Sequence, residues 1–237
     1  MAIQYTLVLM ILIAGMVWSG LARKLTWPGA IAGALIGFLV FASAGFTGLM
    51  MMAAFFLMGT AATSWKREVK EKLEVTEENS HGRTAGQVVA NAGVGALLGI
   101  CVLAFPGKAD LLRMMMAASF SSAAADTLAS ELGNVYGKRY YHILTFKRDS
   151  RGLNGVVSLE GTVCGIAGSG AIAIVYACGF GWNANLLVII LAGTFGNLMD
   201  SVLGATLERR RFLHNDAVNF LNTLLAALAA WAMRAVL

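Results

Sequence analysis

Charge is what this sequence most conspicuously lacks. Only 13% of its 237 residues are Asp, Glu, Lys or Arg, against about 25% in an ordinary soluble domain. Hydrophobic residues reach 58% and mean hydropathy is +0.70, which excludes a water-soluble globule. Proline is scarce too. Pro28 and Pro106 are the only two, both at the edges of apolar runs, so helices can run uninterrupted. Ten-residue segments alternating apolar and polar are missing, which argues against a transmembrane β-barrel. The three cysteines, Cys101, Cys164 and Cys178, form no CxxC pair and fall within apolar runs; they read as small core residues, not as disulfides or metal ligands. His81, His142 and His214 are scattered through polar segments without HExxH spacing, so solvated or phosphate-contacting roles are expected of them. The first apolar run lacks a preceding basic segment and is not expected to be a cleaved signal. There is no Walker A sequence: the stretch from Gly133 to Arg139 has too short a spacer and no Ser or Thr after Lys138. The protein-kinase signatures are absent as well.

Long apolar runs are what the chain does have. A span needs about 20 such residues. Eight candidates can be read: Ile3–Leu21, Pro28–Ala44, Thr47–Ser64, Thr84–Phe105, Leu111–Leu132, Val156–Gly179, Leu186–Thr206 and Val218–Leu237. The second and third are short and joined by a Gly-containing turn, so they could form one bent hairpin. The expected fold is an all-α, polytopic transmembrane helical bundle: a single integral membrane domain over 1–237, with cytosolic loops at 65–83 and 134–154. All but Lys108, Arg113 and Arg234 of the 18 basic residues follow odd-numbered spans. The positive-inside rule then places the large loops in the cytosol and both termini outside, in the cell membrane. The net charge of +5 suits anionic lipid headgroups or a phosphorylated substrate. Nucleic acid is not an expected partner, because the basic loops are short and membrane-tethered.

Two acids stand out within the apolar runs. Asp126 lies in the fifth and Asp200 near the end of the seventh. A carboxylate at membrane depth costs about 2.5–3.5 kcal/mol even on lenient insertion scales and usually marks a functional site. Other polar residues fall at the same level. Thr84, Gln87 and Asn91 share one helical face, as do Ser122, Asp126 and Ser130, then Asn197, Asp200 and Ser201, then Asn215, Asn219 and Asn222. Glu131, Ser158, Glu160 and Thr162 join them nearer the interface. For a single Ser or Thr, hydrogen bonding between helices is the plainer reading. For the two aspartates, a shared site is the better one. Two carboxylates among Asn and Ser oxygens suit a hard cation such as Mg²⁺, which takes one or two protein carboxylates plus phosphates and water. The basic segment Tyr136–Arg151 and the run Gly152-Leu153-Asn154-Gly155, leading into a helix N-terminus, would favour a phosphate.

Four runs carry a resemblance: Gly82-Arg83-Thr84-Ala85-Gly86-Gln87-Val88-Val89-Ala90-Asn91, Ala125-Asp126-Thr127-Leu128-Ala129-Ser130-Glu131-Leu132-Gly133, Gly155-Val156-Val157-Ser158-Leu159-Glu160-Gly161-Thr162, and Asp200-Ser201-Val202-Leu203-Gly204-Ala205. From about Thr47 onward the chain resembles the transmembrane protein 19-like family, long labelled a domain of unknown function, which includes the phytyl-phosphate kinase of the vitamin E pathway. It departs from the family pattern at Arg151-Gly152-Leu153-Asn154, where a Pro-Gly approach is usual, and at Gly155-Val156, where a Gly pair is usual. The resemblance implies phosphorylation of an isoprenyl monophosphate (phytyl, farnesyl or geranylgeranyl phosphate) to the diphosphate by a nucleoside triphosphate, CTP being the first candidate, with Mg²⁺ as cofactor.

On that reading Asp126 and Asp200 hold the metal, and Glu131 and Glu160 are further catalytic candidates. Substrate and nucleotide contacts are expected from Arg83, Gln87, Asn91, Ser130, Lys138, Arg139, Arg151, Asn154, Ser158, Asn197, Ser201, Asn219 and Asn222. Expected partners are the isoprenyl phosphate lipid, the nucleoside triphosphate and membrane lipids; homo-oligomerisation is left open. Two alternatives remain. An ion-coupled transporter also uses intramembrane acids, but its site should lie near the midplane between inverted repeats, and no repeat is evident. A nucleotidyltransferase making a CDP-lipid needs the same carboxylates and Gly loop but releases pyrophosphate.

Overall fold

The computed structural model describes residues 2–71 and 82–236. His81 and Lys72 lie outside the described residues, within the expected 65–83 loop. The chain is helical almost throughout: α1 (Ala2–Leu21), α2 (Trp27–Ser64), the short α3 (Arg67–Glu71), α4 (Ala85–Ala104), α5 (Ala109–Tyr136), α6 (Leu159–Phe180), α7 (Asn185–Leu203) and α8 (Asn215–Val236). Between α5 and α6 two two-residue strands, β1 (Tyr141–His142) and β2 (Val156–Val157), pair antiparallel. β2 occupies the first residues of the expected sixth span, so α6 starts three residues later than the apolar run.

Six of these helices are long and apolar enough to cross a membrane: α1, α2, α4, α6, α7 with its continuation to Glu208, and α8. At 38 residues α2 is too long for one crossing. It doubles back at Gly45, whose φ of 63° and ψ of −156° belong to a region open essentially only to glycine. The two arms lie side by side: a Cβ at Gly37 would meet the side chains of Leu49 and Met52, and Lys24 before the first arm donates to Ser64 at the end of the second. The expected pair of short spans is thus a single helical hairpin.

α5 is less apolar than the others because it is the axle of the bundle. It packs against α2, α4, α6, α7 and α8, and its stretch from Met116 to Ala125 is buried throughout. Small residues make that possible. On α6 a Cβ at Gly161 would lie 2.7 Å from the Ala129 carbonyl oxygen, and one at Gly165 or Gly168 would lie 3.0 Å from the Ala125 or Ala124 oxygen. These glycines, spaced i, i+4 and i+7, let the α5 and α6 backbones approach as in other membrane helix pairs. α1 by contrast packs chiefly on α2 and is exposed over most of its length, as a lipid-facing helix should be. The cysteines differ from expectation in burial: all three are free thiols, but Cys101 and Cys164 are half-buried and Cys178 is exposed on the helix surface.

The helices run alternately between two ends. At one end lie Arg23, Lys24, Ser64, Arg83, Asn134, Ser158, Glu208 and Asn215, which surround one cavity. At the other lie Gly107, Lys108, Asn183 and Arg234 around a second depression, and Arg113 donates to the Ser43 carbonyl beside the Gly45 turn. All five tryptophans are exposed: Trp18, Trp27 and Trp65 toward the first end, Trp182 and Trp231 toward the second. Indole rings favour the membrane–water boundary, so these residues mark two belts with the apolar helix surfaces between them.

Candidate functional site

The first cavity, about 340 Å³ in volume, gathers side chains from helices distant in sequence. Of the residues singled out above, it is lined by Asp126, Asp200, Glu131, Arg83, Gln87, Asn91, Ser130, Asn154, Ser158, Asn197, Ser201 and Asn219. Glu160, Lys138, Arg139, Arg151 and Asn222 do not line it. Much of the polar layer expected from helical spacing therefore lines one cavity at one end of the bundle, with both aspartates on its wall.

Asp200 is fixed by a chain of hydrogen bonds through three helices. Ser122 Oγ on α5 donates to Asn222 Oδ1 on α8 at 3.1 Å, and Asn222 Nδ2 donates to Asp200 Oδ2 on α7 at 2.6 Å. Asn222 is completely buried. Expected to touch substrate, it instead stands behind Asp200 and aims it. Gly196 makes room for the arrangement, since a Cβ there would lie 2.9 Å from the Asn222 carbonyl oxygen. Just beyond Asp200 the α-helix gives way to a π-helical turn, Gly204–Glu208, a distortion frequent at functional sites.

Glu131 is engaged by a residue that sequence reasoning counted only as one more loop cation. Lys70, 1% exposed, donates to Glu131 Oε2 at 2.5 Å and to the Ala62 and Thr63 carbonyls at 3.0 and 2.7 Å. Its ammonium thereby caps the C-terminus of α2, where carbonyls lack helical partners. A buried cation without a companion acid would be very costly, so Glu131 first serves Lys70. No sequence signal could have paired residues 61 positions apart.

Capping accounts for several other residues. Thr84 Oγ1 accepts from the Gln87 N–H and Gln87 Oε1 accepts from the Thr84 N–H, a complete capping box at the start of α4. Ser158 Oγ accepts from the Gly161 N–H to cap α6. Ser130 donates back to the Asp126 and Thr127 carbonyls, and Ser201 to that of Asn197. Asn91 donates to the Gln87 carbonyl. Arg83 crosses the second arm of α2, where a Cβ at Gly59 would lie 3.1 Å from its Nη2, and it donates to Thr63 Oγ1.

The loop from Lys138 to Asn154 forms one rim. Arg209 pins it, donating from Nε to the Asn154 carbonyl at 2.6 Å and from Nη2 to Asp149 Oδ2 at 2.9 Å. That bond, with a second from the Ser150 N–H, holds the Asp149 carboxyl below the ordinary aspartate range. Gly155, with φ of 74°, lies so close to the π-turn that a Cβ would be 2.6 Å from Ala205 Cα. Lys138 and Arg139 are exposed on this loop and Glu160 is half-buried in the first turn of α6. Arg151 lies over the Tyr140 ring, 5.7 Å from its centroid, and among the described residues its buried Nε and Nη2 have no hydrogen-bond partner. Burial raises the Tyr140 phenol pKa, Arg151 opposing; the hydroxyl stays protonated and donates to the Gly133 and Gly137 carbonyls.

The donor chemistry suits a hard divalent cation. Asp126 and Asp200 line one space together with Asn91, Asn197 and Asn219, whose side chains carry amide oxygens. Among the described residues the cavity wall carries no Cys, Met or His side chain. Among the described residues no three His, Cys, Asp or Glu side chains gather as a ready-made metal site.

Fold and cavity together define a polytopic helical membrane protein with a polar, carboxylate-bearing site at one end of its bundle. The chain belongs to the family described as integral membrane protein DUF92, which matches residues 8–227. The match begins well before Thr47, within α1. Among relatives, the chain is similar to "Protein VTE6, chloroplastic" of Arabidopsis thaliana, 34% identical over 222 residues, covering 90% of this chain and 66% of that protein, just under two thirds of its length. It is similar to an uncharacterized membrane protein of Synechocystis sp., 33% identical over 90% of this chain and 84% of that one. A third relative, an uncharacterized membrane protein of Methanocaldococcus jannaschii, is 28% identical over 87% and 84% of the two chains. No solved structure matches the chain.

Proposed function

We propose that the protein is an isoprenyl-monophosphate kinase, transferring the terminal phosphoryl group of a nucleoside triphosphate, CTP in the first instance, to phytyl, farnesyl or geranylgeranyl phosphate. The observation that carries this reading is the meeting of Asp126 and Asp200, from two separate helices, in one cavity whose wall also holds Arg23, Lys24 and Arg83 and whose rim is the Gly152–Gly155 segment ahead of α6. The family resemblance supplies the substrate class. The active site is proposed to face the cytosol, on the side that carries most of the Lys and Arg.

The chemistry asks little of a base. An acceptor monophosphate has a second pKa near 6 and is largely dianionic at neutral pH. One of its oxygens forms the new bond to the terminal phosphorus as the bond to the nucleoside diphosphate breaks, and the diphosphate leaves with that electron pair. Such transfer is mostly positioning and charge stabilisation. Asp126 and Asp200 would hold Mg²⁺, which when bound supplies positive charge to the donor phosphates. Arg83 and the neighbouring Arg23 and Lys24 reduce the repulsion between the two anions. Arg151, with two buried N–H-bearing nitrogens unpaired, is suited to receive the acceptor phosphate by a change of rotamer. The prenyl tail leaves the polar end between apolar helix faces, past Leu198 and Leu153 on the cavity wall.

Purified full-length protein with Mg²⁺, each nucleoside triphosphate and each of the three prenyl phosphates, analysed by mass spectrometry, tests the proposal. A prenyl diphosphate together with the nucleoside diphosphate is the expected outcome. A CDP-lipid with pyrophosphate would identify a nucleotidyltransferase, and absence of any product would remove the kinase. A carrier would centre its site between the two ends, whereas this cavity lies at one of them.

A further inference from the structure

Two amides line the cavity without a hydrogen-bond partner among the described residues. Asn197 on α7 and Asn219 on α8 are 6% and 8% exposed, and both line the cavity. Among the described residues neither side chain makes a hydrogen bond, in contrast to Asn222, Asn91 and Asn185, whose amides all have partners. Side chains this little exposed ordinarily bond to protein; these two are open only to the cavity, so their donors and acceptors are available to whatever enters it.

We infer that Asn197 and Asn219 are direct ligand contacts. Their amide oxygens join Asp200 in holding a divalent cation, and their amide N–H groups donate to phosphate oxygens of the nucleotide bound with it. The inference takes the nucleotide from the kinase reading and rests on it to that extent.

Position supports it. Asn197 precedes Asp200 by three residues and so shares its helix face. Asn219 precedes Asn222, the residue that aims Asp200, by the same offset. Both amides therefore flank a carboxylate that is already fixed. Gly165 on α6 leaves the space for the Asn197 amide, since a Cβ there would lie 2.8 Å from its Nδ2.

Chemistry supports it as well. A hard cation accepts amide and carboxylate oxygens together. The cavity supplies two intramembrane carboxylates, and neutral amide oxygens can stand beside them in the ligand set without adding charge. An amide is also the side chain that can serve cation and anion at once, offering an acceptor and two donors. Asn222 has spent both ends of its amide on the protein; Asn197 and Asn219 have spent neither.

The test uses full-length protein purified in detergent, with variants Asn197→Leu, Asn219→Leu and, for comparison, Asn222→Leu. Two quantities are read: thermal unfolding without ligand, and Mn²⁺ binding by electron paramagnetic resonance, with and without a non-hydrolysable nucleoside triphosphate analogue. Removal of an amide that bonds to no described residue should leave the ligand-free melting temperature unchanged or higher, whereas Asn222→Leu should lower it. Mn²⁺ affinity should fall at least about tenfold in Asn197→Leu and Asn219→Leu, the loss usual even for outer partners of a metal site. A lowered melting temperature with unchanged Mn²⁺ affinity would make the amides structural and overturn the inference, as would a wild type that binds no Mn²⁺.

Asn197→Asp provides a variant that keeps the oxygen. It should retain Mn²⁺ affinity while binding the analogue more weakly, because the N–H donors are gone. Weaker binding of Mn²⁺ alone would rule out the oxygen as a ligand. Prenyl diphosphate formation is measured separately. A wild type that binds Mn²⁺ through these residues yet makes no diphosphate would end the kinase reading and leave this one standing, and the converse result would do the opposite.

Discussion

At the scale of single residues, Asp126 and Asp200 bear the most weight. Replacing either by Asn keeps the shape and removes the charge. Turnover should fall by about 10²–10³ or more, the loss seen when one electrostatic contact to a transition state is removed, while insertion and melting temperature stay near wild type. Steady-state assays beside a thermal unfolding curve check both halves. For Arg151→Ala the expected result is a raised KM for the prenyl phosphate with kcat less affected; an unchanged KM would remove it from the phosphate site. Asp149 makes a pH prediction. Its carboxyl is held below the ordinary value of 3.8 by Arg209, so the stabilisation it gives the loop is fully present above that value and is lost as pH falls through the lower, folded-state value. Limited proteolysis of the 138–154 loop should therefore be flat from neutral pH down to about 4 and rise only in stronger acid. An onset nearer pH 6 would rule out Asp149 as the group responsible.

The decisive feature at the scale of elements is the α5–α6 contact. The glycines at 161, 165 and 168 set how closely the two backbones approach, and the Gly152–Ser158 rim is suspended between these helices. Gly161→Val would force its side chain against the Ala129 carbonyl, 2.7 Å from the Cβ position. Overpacking of this kind costs about 1–3 kcal/mol. The melting temperature should drop and activity should fall with it, because α5 carries Asp126. An unchanged melting temperature would show that the interface can part without loss. The same helix pair shows how far periodicity can be read. Ser122, Asp126 and Ser130 were expected to share a face toward the site. Asp126 and Ser130 line the cavity, but Ser122 lies one turn deeper and bonds to Asn222. Spacing specifies a direction around the helix axis; depth along it depends on where the neighbouring helices leave space.

For the whole molecule, the testable property is orientation. Basic residues crowd the cavity end, and the positive-inside rule places that end in the cytosol. With the native cysteines replaced, a membrane-impermeant maleimide should label Asn183→Cys in intact cells, while Arg148→Cys should react only after permeabilisation. The reverse pattern would put the cavity on the other side of the membrane and with it the source of nucleotide. The hairpin of α2 belongs to this scale as well. It brings Lys24, Arg83 and Ser64, from three parts of the chain, to the same end, and so completes the cavity wall opposite α7 and α8.

Hydropathy alone specified a helical membrane protein, because a chain so poor in charge and so rich in 20-residue apolar runs has no other way to satisfy its backbone in a bilayer. Helical spacing and the cost of intramembrane charge were enough to single out Asp126, Asp200 and the polar faces around them. The packed bundle decided the division of labour among those residues. Lys70 claims Glu131, Asn222 turns from ligand contact to support for Asp200, and Asn197 and Asn219 are left as the buried amides with bonds to spare. Those assignments depend on which polar atoms come within about 3 Å of one another across helices, a distance set by side-chain packing between segments 22 to 100 residues apart, and a local pattern in one chain carries no information about it.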